Sequence, residues 1–298
     1  LNPIIFILGP TCSGKTDLSF YLSSKLNACM INADSIQVYQ GFDIGSAKPR
    51  KKFYLLDHVT PPEIYTAGQY EKEARSLLKK HLPHQMALVV GGSGFYLQTL
   101  ERGCYPISKM SKDIKQKLLK EEREKGLPVL YQRLTEKDPE YAVKIHSHDR
   151  YRIFRALSLM ETDSLKMSEV KKKFQAKKLP YRIIKVGATG SSAVLRKRVE
   201  LRAKNMLACG LVGEVRELRE KGLENFPAMK SVGYYEVLLY LRGRIREGEL
   251  YEKIVQRTMQ LIRKQKIWFK RDPSIRWYDC ETDFSEILQD LRDKISGF

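Results

Sequence analysis

Apolar positions along this chain gather into a few short runs, and mixed segments of helical period separate them. The runs at 4–8 (Ile-Ile-Phe-Ile-Leu), 29–32, 86–90 and 183–187 have the length and composition of buried strands. Helical spacing fills the intervals, so strands and helices alternate, which predicts an α/β fold with a parallel sheet flanked by helices. From about 108 the texture changes to a Lys- and Glu-rich helical stretch that continues to about 179, broken at Gly126-Leu127-Pro128 and Asp138-Pro139. A strand-like run returns at Ile183, so this stretch reads as a helical insertion: the core is predicted over 1–107 and 180–298 and the insertion over 108–179. Residues 193–222 form one long amphipathic pattern, with Val199, Met206, Leu207, Leu211, Val215 and Leu218 on the apolar side. Two further helices are predicted over 231–242 and 249–270.

The first apolar run ends directly in Gly9-Pro10-Thr11-Cys12-Ser13-Gly14-Lys15-Thr16, a complete G-x-x-x-x-G-K-[ST] loop. Gly9 and Gly14 permit the backbone angles that turn successive N–H groups toward anionic oxygens, and the helix expected from Thr16 to Leu26 adds its positive dipole end. In such a loop Lys15 reaches the outer phosphate and the Thr16 hydroxyl takes a magnesium ion, so the chain is expected to bind a di- or triphosphate with Mg2+. The loop does not say which molecule enters, or whether phosphate is transferred.

Charge narrows the partner. Lys and Arg outnumber Asp and Glu by 54 to 35, a formal net charge of +19, and such an excess favours a polyanion, most simply nucleic acid. Lysines 171, 172, 173, 177 and 178 flank Phe174, and Arg150, Arg152 and Arg155 surround Tyr151 and Phe154. Basic residues beside aromatics suit phosphate contact with base stacking, although each run alone also reads as a solvated helix face. No stretch approaches the roughly 20 apolar residues of a membrane span. The five cysteines are odd in number and scattered, without a C-x-x-C pair, so neither a zinc site nor a disulfide framework is expected. The chain is expected to be cytoplasmic and monomeric. Its start reads as a core strand rather than a signal peptide.

Two more constellations follow strand-like runs. Asn32-Ala33-Asp34-Ser35-Ile36-Gln37 lies just past the second, where a parallel sheet would bring Asp34 close to the phosphate loop. A carboxylate there can serve as a base, a metal ligand or a helix cap, and Ser35 and Gln37 supply donors and acceptors suited to a base edge. The third run ends in Gly91-Gly92-Ser93-Gly94-Phe95-Tyr96. A nucleotide hydrolase would carry an Asp here to help hold magnesium and water, and its absence argues against hydrolysis.

Together these segments resemble the tRNA dimethylallyltransferase (tRNA isopentenyltransferase) family, whose hallmarks include G-P-T-A-S-G-K-T, N-A-D-S-x-Q-x-Y and G-G-T-x-x-Y. The similarity continues through Leu56-Asp57-His58, Arg152-Ile153-Phe154-Arg155-Ala156-Leu157, Gly210-Leu211-Val212, Ser231-Val232-Gly233-Tyr234, and Arg263-Lys264-Gln265 before Trp268-Phe269. It covers nearly the whole chain in order. The resemblance implies a P-loop NTPase-like core and transfer of a dimethylallyl group from dimethylallyl diphosphate. The acceptor would be the exocyclic amine of the adenosine immediately 3′ of the anticodon, in tRNAs reading codons that begin with U. It implies Asp34 as the base and Arg198 or Arg202, one helical turn apart, as the diphosphate clamp, assisted by Lys15 and Thr16. It also implies anticodon-loop contacts for Asp34, Ser35, Ile36, Gln37 and Ser93 and for Tyr151, Arg152, Ile153, Phe154 and Arg155. Departures from the family pattern include Cys12 for alanine, Ser46 and Ser93 for threonines, and His148-Asp149-Arg150 for Asn-Pro-Gln. A prenyltransferase of free adenylate shares the core motifs, and a small-molecule kinase shares the loop.

Overall fold

The computed structural model describes residues 2–51, 53–105, 107–174 and 177–296. Strand β1 (Ile4–Leu8) runs through the phosphate loop into helix α1 (Lys15–Leu26); β2 (Ala28–Asn32), α2 (Ala67–His81), β3 (Met86–Gly91) and α3 (Gly94–Arg102) follow. Five helices come next: α4 (Lys112–Lys125), α5 (Leu127–Lys137), α6 (Pro139–Ala142), α7 (Arg150–Asp163) and α8 (Met167–Lys173). The chain then forms β4 (Ile183–Thr189), α9 (Ser192–Ala208), α10 (Leu211–Glu220), α11 (Tyr234–Leu241), α12 (Glu247–Phe269), β5 (Arg276–Asp279) and α13 (Phe284–Ser296).

The five strands form one wholly parallel sheet in the order β2-β3-β1-β4-β5. β1 is central, with Ile4 opposite both Ala87 and Ile183, and all five of its residues are buried. Its continuous apolar run follows from having both faces covered. Ile4, Phe6 and Leu8 pack with Tyr70, Leu78, Val199 and Ile254 on one face, while Ile5 and Ile7 pack with Leu18, Leu22, Ile287 and Leu291 on the other. Helix α2 is started by a capping box in which Thr66 Oγ1 accepts from Gln69 N and Gln69 Oε1 accepts from Thr66 N.

The chain divides into two compact units, one running to Glu101 and resuming at Leu179, the other Arg102–Lys178. The second unit begins where α3 ends, six residues before the helical texture of the sequence starts. Its helices enclose their own core, which includes Leu118, Leu130, Leu134, Ile153, Phe154 and Leu157. Within it the buried Asp138 accepts from Tyr141 N at 3.2 Å and Ser168 N at 3.0 Å, joining α6 to α8. Among the described residues no helix is long and apolar enough to cross a membrane.

Three sequence expectations change. The long helix over 193–222 is two helices, α9 and α10, separated at Cys209-Gly210, with Gly210 at φ +97°. The segment expected to be helical from 231 is preceded by a short 3-10 turn (Pro227–Lys230), and its helix starts at Tyr234. Strand β5 and helix α13, which the apolar runs did not reveal, complete the sheet edge and cover one face.

Candidate active site

The C-terminal ends of β1, β2 and β3 meet along one edge of the sheet, and the phosphate loop, the Asp34 segment and the Gly91-Gly92-Ser93 segment emerge there side by side. Gly9 is needed for that approach, because a Cβ on it would lie 2.1 Å from the Ala188 carbonyl oxygen of β4. The loop is held internally by Ser13 Oγ, which donates to Pro10 O at 2.9 Å, and by Lys15 Nζ, which donates to the same carbonyl at 2.5 Å. A cavity of about 490 Å3 opens over it, lined by Thr11 through Asp17, by Asn32, Asp34 and Gln37, and by Arg198, Arg202, Gln265 and Cys280. Thus Lys15, Thr16, Asp34, Arg198 and Arg202, drawn from distant parts of the sequence, face one space.

Electrostatics inside the cavity favour an anion. Burial pushes the Lys15 ammonium down to about 8; the Cys12 sulfur and the Asp34 carboxylate oppose this, and the Arg202 cation adds to it. The two arginines approach the loop at different points. Arg202 Nη1 donates to Thr11 Oγ1 at 2.9 Å. Arg198 Nη2 donates to Cys280 O at 3.1 Å, and its other terminal nitrogen lies near Gly14.

Asp34 both caps and faces the cavity. Its Oδ1 accepts from Ile36 N at 2.8 Å and Gln37 N at 3.3 Å, closing a turn rather than a helix. Its other carboxylate oxygen accepts no hydrogen bond among the described residues. Asn32 Oδ1 accepts from Asp34 N at 3.2 Å, fixing the entry to that turn. Ser35 N donates to Ser93 Oγ at 3.0 Å, so the ends of β2 and β3 are stitched together beside the carboxylate. Gln37 spends its Nε2 on Ser46 O at 3.0 Å and Ala47 O at 3.3 Å, which holds the 46–47 loop at the cavity wall. Ile36 borders a second, smaller cavity of about 90 Å3, which shares Thr11, Asp34, Ser46, Arg202 and Gln265 with the first.

The helical unit carries the remaining expected contacts. Ile153 and Phe154 are buried, and their side chains pack in that unit's core. Tyr151, exposed at 74%, and Arg152 present surface, and Arg155 is half-buried. Arg150 is engaged by Glu122, with Nε at 2.6 Å from Oε1. Lys172 and Lys173 are exposed; the side chain of Lys171 lies outside the described residues.

Sequence reasoning gave no role to Glu214 or Gln265. Glu214 accepts from Ile44 N at 2.7 Å, Gly45 N at 3.2 Å and Tyr234 Oη at 2.6 Å, pinning the 43–47 loop. Burial, reinforced by Glu214, pushes the Tyr234 phenol well above its ordinary range, so it stays a donor. Both residues lay inside or beside motif segments, and no local spacing marks a partner so far along the chain.

A phosphate loop opening a helix, a carboxylate past the end of β2, two strands across from β1, and two arginines over the loop define a P-loop protein. The chain belongs to the IPP transferase family, which it matches over residues 37–272. It is similar to a tRNA dimethylallyltransferase of Bdellovibrio bacteriovorus, 39% identical over 293 residues and covering 95% of each chain. Among solved structures it is similar to the tRNA delta(2)-isopentenylpyrophosphate transferase of Staphylococcus epidermidis, with TM-score 0.70, 30% identity and 100% of both chains covered. A eukaryotic dimethylallyltransferase acting on tRNA superimposes with TM-score 0.82 at 25% identity, over 100% of this chain and 80% of the other. The family match starts after the phosphate loop and Asp34, but the Bdellovibrio relative extends over 95% of this chain.

Proposed function

We propose that this chain transfers the dimethylallyl group of dimethylallyl diphosphate to the N6 amine of the adenosine immediately 3′ of the anticodon, in tRNAs reading codons that begin with U, in the cytoplasm. The observation that carries this reading is the single cavity in which the phosphate loop, Asp34, Arg198 and Arg202 converge. The activity named for the relatives supports it. The diphosphate would lie on the loop amides, with Lys15 on its outer phosphate. Arg202 would reach the end nearer Asp34, because it lines both cavities, and Arg198 the end nearer Gly14.

In the reaction the bond from the allylic carbon to oxygen breaks and its electron pair leaves with diphosphate. The amine nitrogen forms the new bond to that carbon, and Asp34 accepts the amine proton. Charge therefore develops on the diphosphate, which the loop amides, Lys15 and the arginines are aimed to stabilise. The Ile36 and Gln37 amides hold one Asp34 oxygen, which orients the other. An adenine amine is a weak nucleophile, so holding it over the allylic carbon contributes as much as the base does.

The donor set fits magnesium. Thr16 and Asp34 present hard oxygens to the same cavity. Among the described residues no group of three or more His, Cys, Asp or Glu forms a closed metal cage. Mg2+ commonly takes one or two protein oxygens and completes its shell with phosphate and water. When bound, the ion would neutralise charge on the departing diphosphate. On the RNA side, the target base must leave the loop stack to reach this cavity, which makes base flipping part of the proposal. Tyr151, Arg152 and Arg155 of the helical unit would meet the anticodon stem-loop.

The test is incorporation of label from dimethylallyl diphosphate into unmodified tRNA, with AMP as rival acceptor and ATP as rival donor. Label at the adenosine beside the anticodon supports the proposal. Label in AMP, or phosphate transfer from ATP, replaces it with an adenylate prenyltransferase or a kinase.

A further inference from the structure

We infer that Gln265 is a positioning residue for the transfer, a cross-brace that sets the leaving-group side of the site against the proton-accepting side. This rests on the proposed prenyl transfer. Gln265 Oε1 accepts from Thr11 N at 2.9 Å, and Gln265 Nε2 donates to Gly92 O at 3.0 Å. One planar amide thus joins the phosphate loop after β1 to the loop after β3. Each end continues into the chemistry. Thr11 Oγ1 accepts from Arg202 Nη1 at 2.9 Å, and the residue after Gly92, Ser93, accepts from Ser35 N at 3.0 Å, directly beside Asp34. Arg202 and Asp34 are therefore linked through Thr11, Gln265, Gly92, Ser93 and Ser35, and Gln265 lines both cavities at the point where they adjoin.

The surroundings are shaped to hold this brace rigid. Gly92 leaves room for it, since a Cβ there would lie 2.5 Å from Gln265 Nε2. One turn further along α12, Trp268 packs into the space left by Gly94, whose Cβ would lie 2.2 Å from the indole nitrogen. Lys266 Nζ donates to Gly190 O at 2.8 Å. The final turns of α12 therefore reach the loops following β1, β3 and β4. The Thr11 amide of the phosphate loop is taken up by Gln265 Oε1. A misplacement of about 1 Å between reacting groups costs about 100-fold in rate, and that is what this contact prevents.

Two substitutions separate the consequences. Gln265→Met keeps length and volume but loses both bonds, while Gln265→Glu can still accept from Thr11 N, cannot donate to Gly92 O when ionised, and adds a negative charge beside the diphosphate. With dimethylallyl diphosphate and an anticodon stem-loop RNA, the Met variant is expected to lose about 100-fold in kcat while its donor KM stays within about threefold of wild type. The Glu variant is expected to raise the donor KM by about tenfold, because its ionised carboxylate sets a negative charge beside the diphosphate and cannot donate to Gly92 O. Thermal unfolding of both variants is measured alongside. A Met variant with kcat within about threefold of wild type overturns the inference. So does a loss of kcat matched by an equal loss of inorganic diphosphate affinity and a lowered Tm, because that is a folding defect. If wild type itself transfers no label, the reaction reading falls. The brace, which rests on that reading, falls with it, whereas an active wild type with an equally active Met variant sinks the brace alone.

Discussion

At the level of single residues, Asp34 and Lys15 make opposite demands on the site. Asp34 was readable in the sequence as base, metal ligand or cap, and the structure explains the ambiguity: one oxygen closes a turn through Ile36 N and Gln37 N while the carboxylate lines the cavity. Asn at 34 can still accept those two amides but cannot take a proton. Asp34→Asn is therefore expected to retain RNA affinity, measured by filter binding, while kcat falls by about 100- to 10,000-fold; unchanged turnover would remove Asp34 as the base. For Lys15 the sign runs the other way from a paired lysine. Its pKa is pushed down to about 8 by burial, so the free site disfavours the charged form that a diphosphate needs. Diphosphate restores the proton. The ratio of wild-type to Lys15→Met affinity for inorganic diphosphate, in which the ligand's own titration cancels, should be level below pH 8 and fall above it by up to about tenfold per pH unit. Titration calorimetry from pH 6.5 to 9.5 on both proteins checks this, and parallel profiles would place the phosphate elsewhere.

Elements were legible where burial leaves a compositional trace. β1, β3 and β4 are covered on both faces and read as apolar runs, whereas β5, Arg-Trp-Tyr-Asp at the sheet edge with its end residues exposed, leaves none. The break between α9 and α10 was hidden because the apolar side continues through it, from Met206 to Leu211 and Val215, all buried. Ile153 and Phe154 sit in a motif segment, yet helical spacing turns them into their unit's core. Gln265 could not be placed from sequence, since Thr11 lies 254 residues away and only the strand order brings α12 across the ends of β1 and β3. The Gly91-Gly92 pair stands where a hydrolase would carry an Asp, and the structure gives each glycine a reason. A Cβ on Gly91 would lie 2.1 Å from Ala33 O, where β3 crosses the segment leaving β2. Both strands are backbone-fixed there, Ala33 N to Val90 O at 2.7 Å and Ser93 N to Ala33 O at 3.2 Å, so neither can give way cheaply. Gly91→Ala should cost at least about 1–3 kcal/mol in urea unfolding, from overpacking of a rigid contact. A loss below about 0.5 kcal/mol, the size of an ordinary surface substitution, would mean that the crossing relaxes.

Across the whole molecule, charge is divided unevenly. Residues 102–178 carry 20 Lys and Arg against 11 Asp and Glu, so +9 of the chain's +19 belongs to the smaller helical unit. Much of that excess is exposed, and part of it is held in loose surface pairs: Lys172 lies 3.4 Å from Glu140, and Lys173 lies 4.0 Å from Glu169. Solvated pairs of this kind are weak, so a phosphate can take the lysine from its carboxylate at little cost. The charge pattern then predicts a distinct response to salt, separable from chemistry in the cavity. If Lys172 and Lys173 meet RNA phosphates, the slope of log affinity against log salt for an anticodon stem-loop should flatten by about 0.7–0.9 for each lysine changed to Gln. kcat at saturating RNA should stay the same, because neither side chain lines the cavity around Asp34. Affinity measured across a salt series for Lys172→Gln, Lys173→Gln and the double variant tests this directly. Additive flattening would assign both lysines to phosphate contacts, whereas an unchanged slope would leave them as partners of Glu140 and Glu169 and shift the electrostatic footprint to other basic residues.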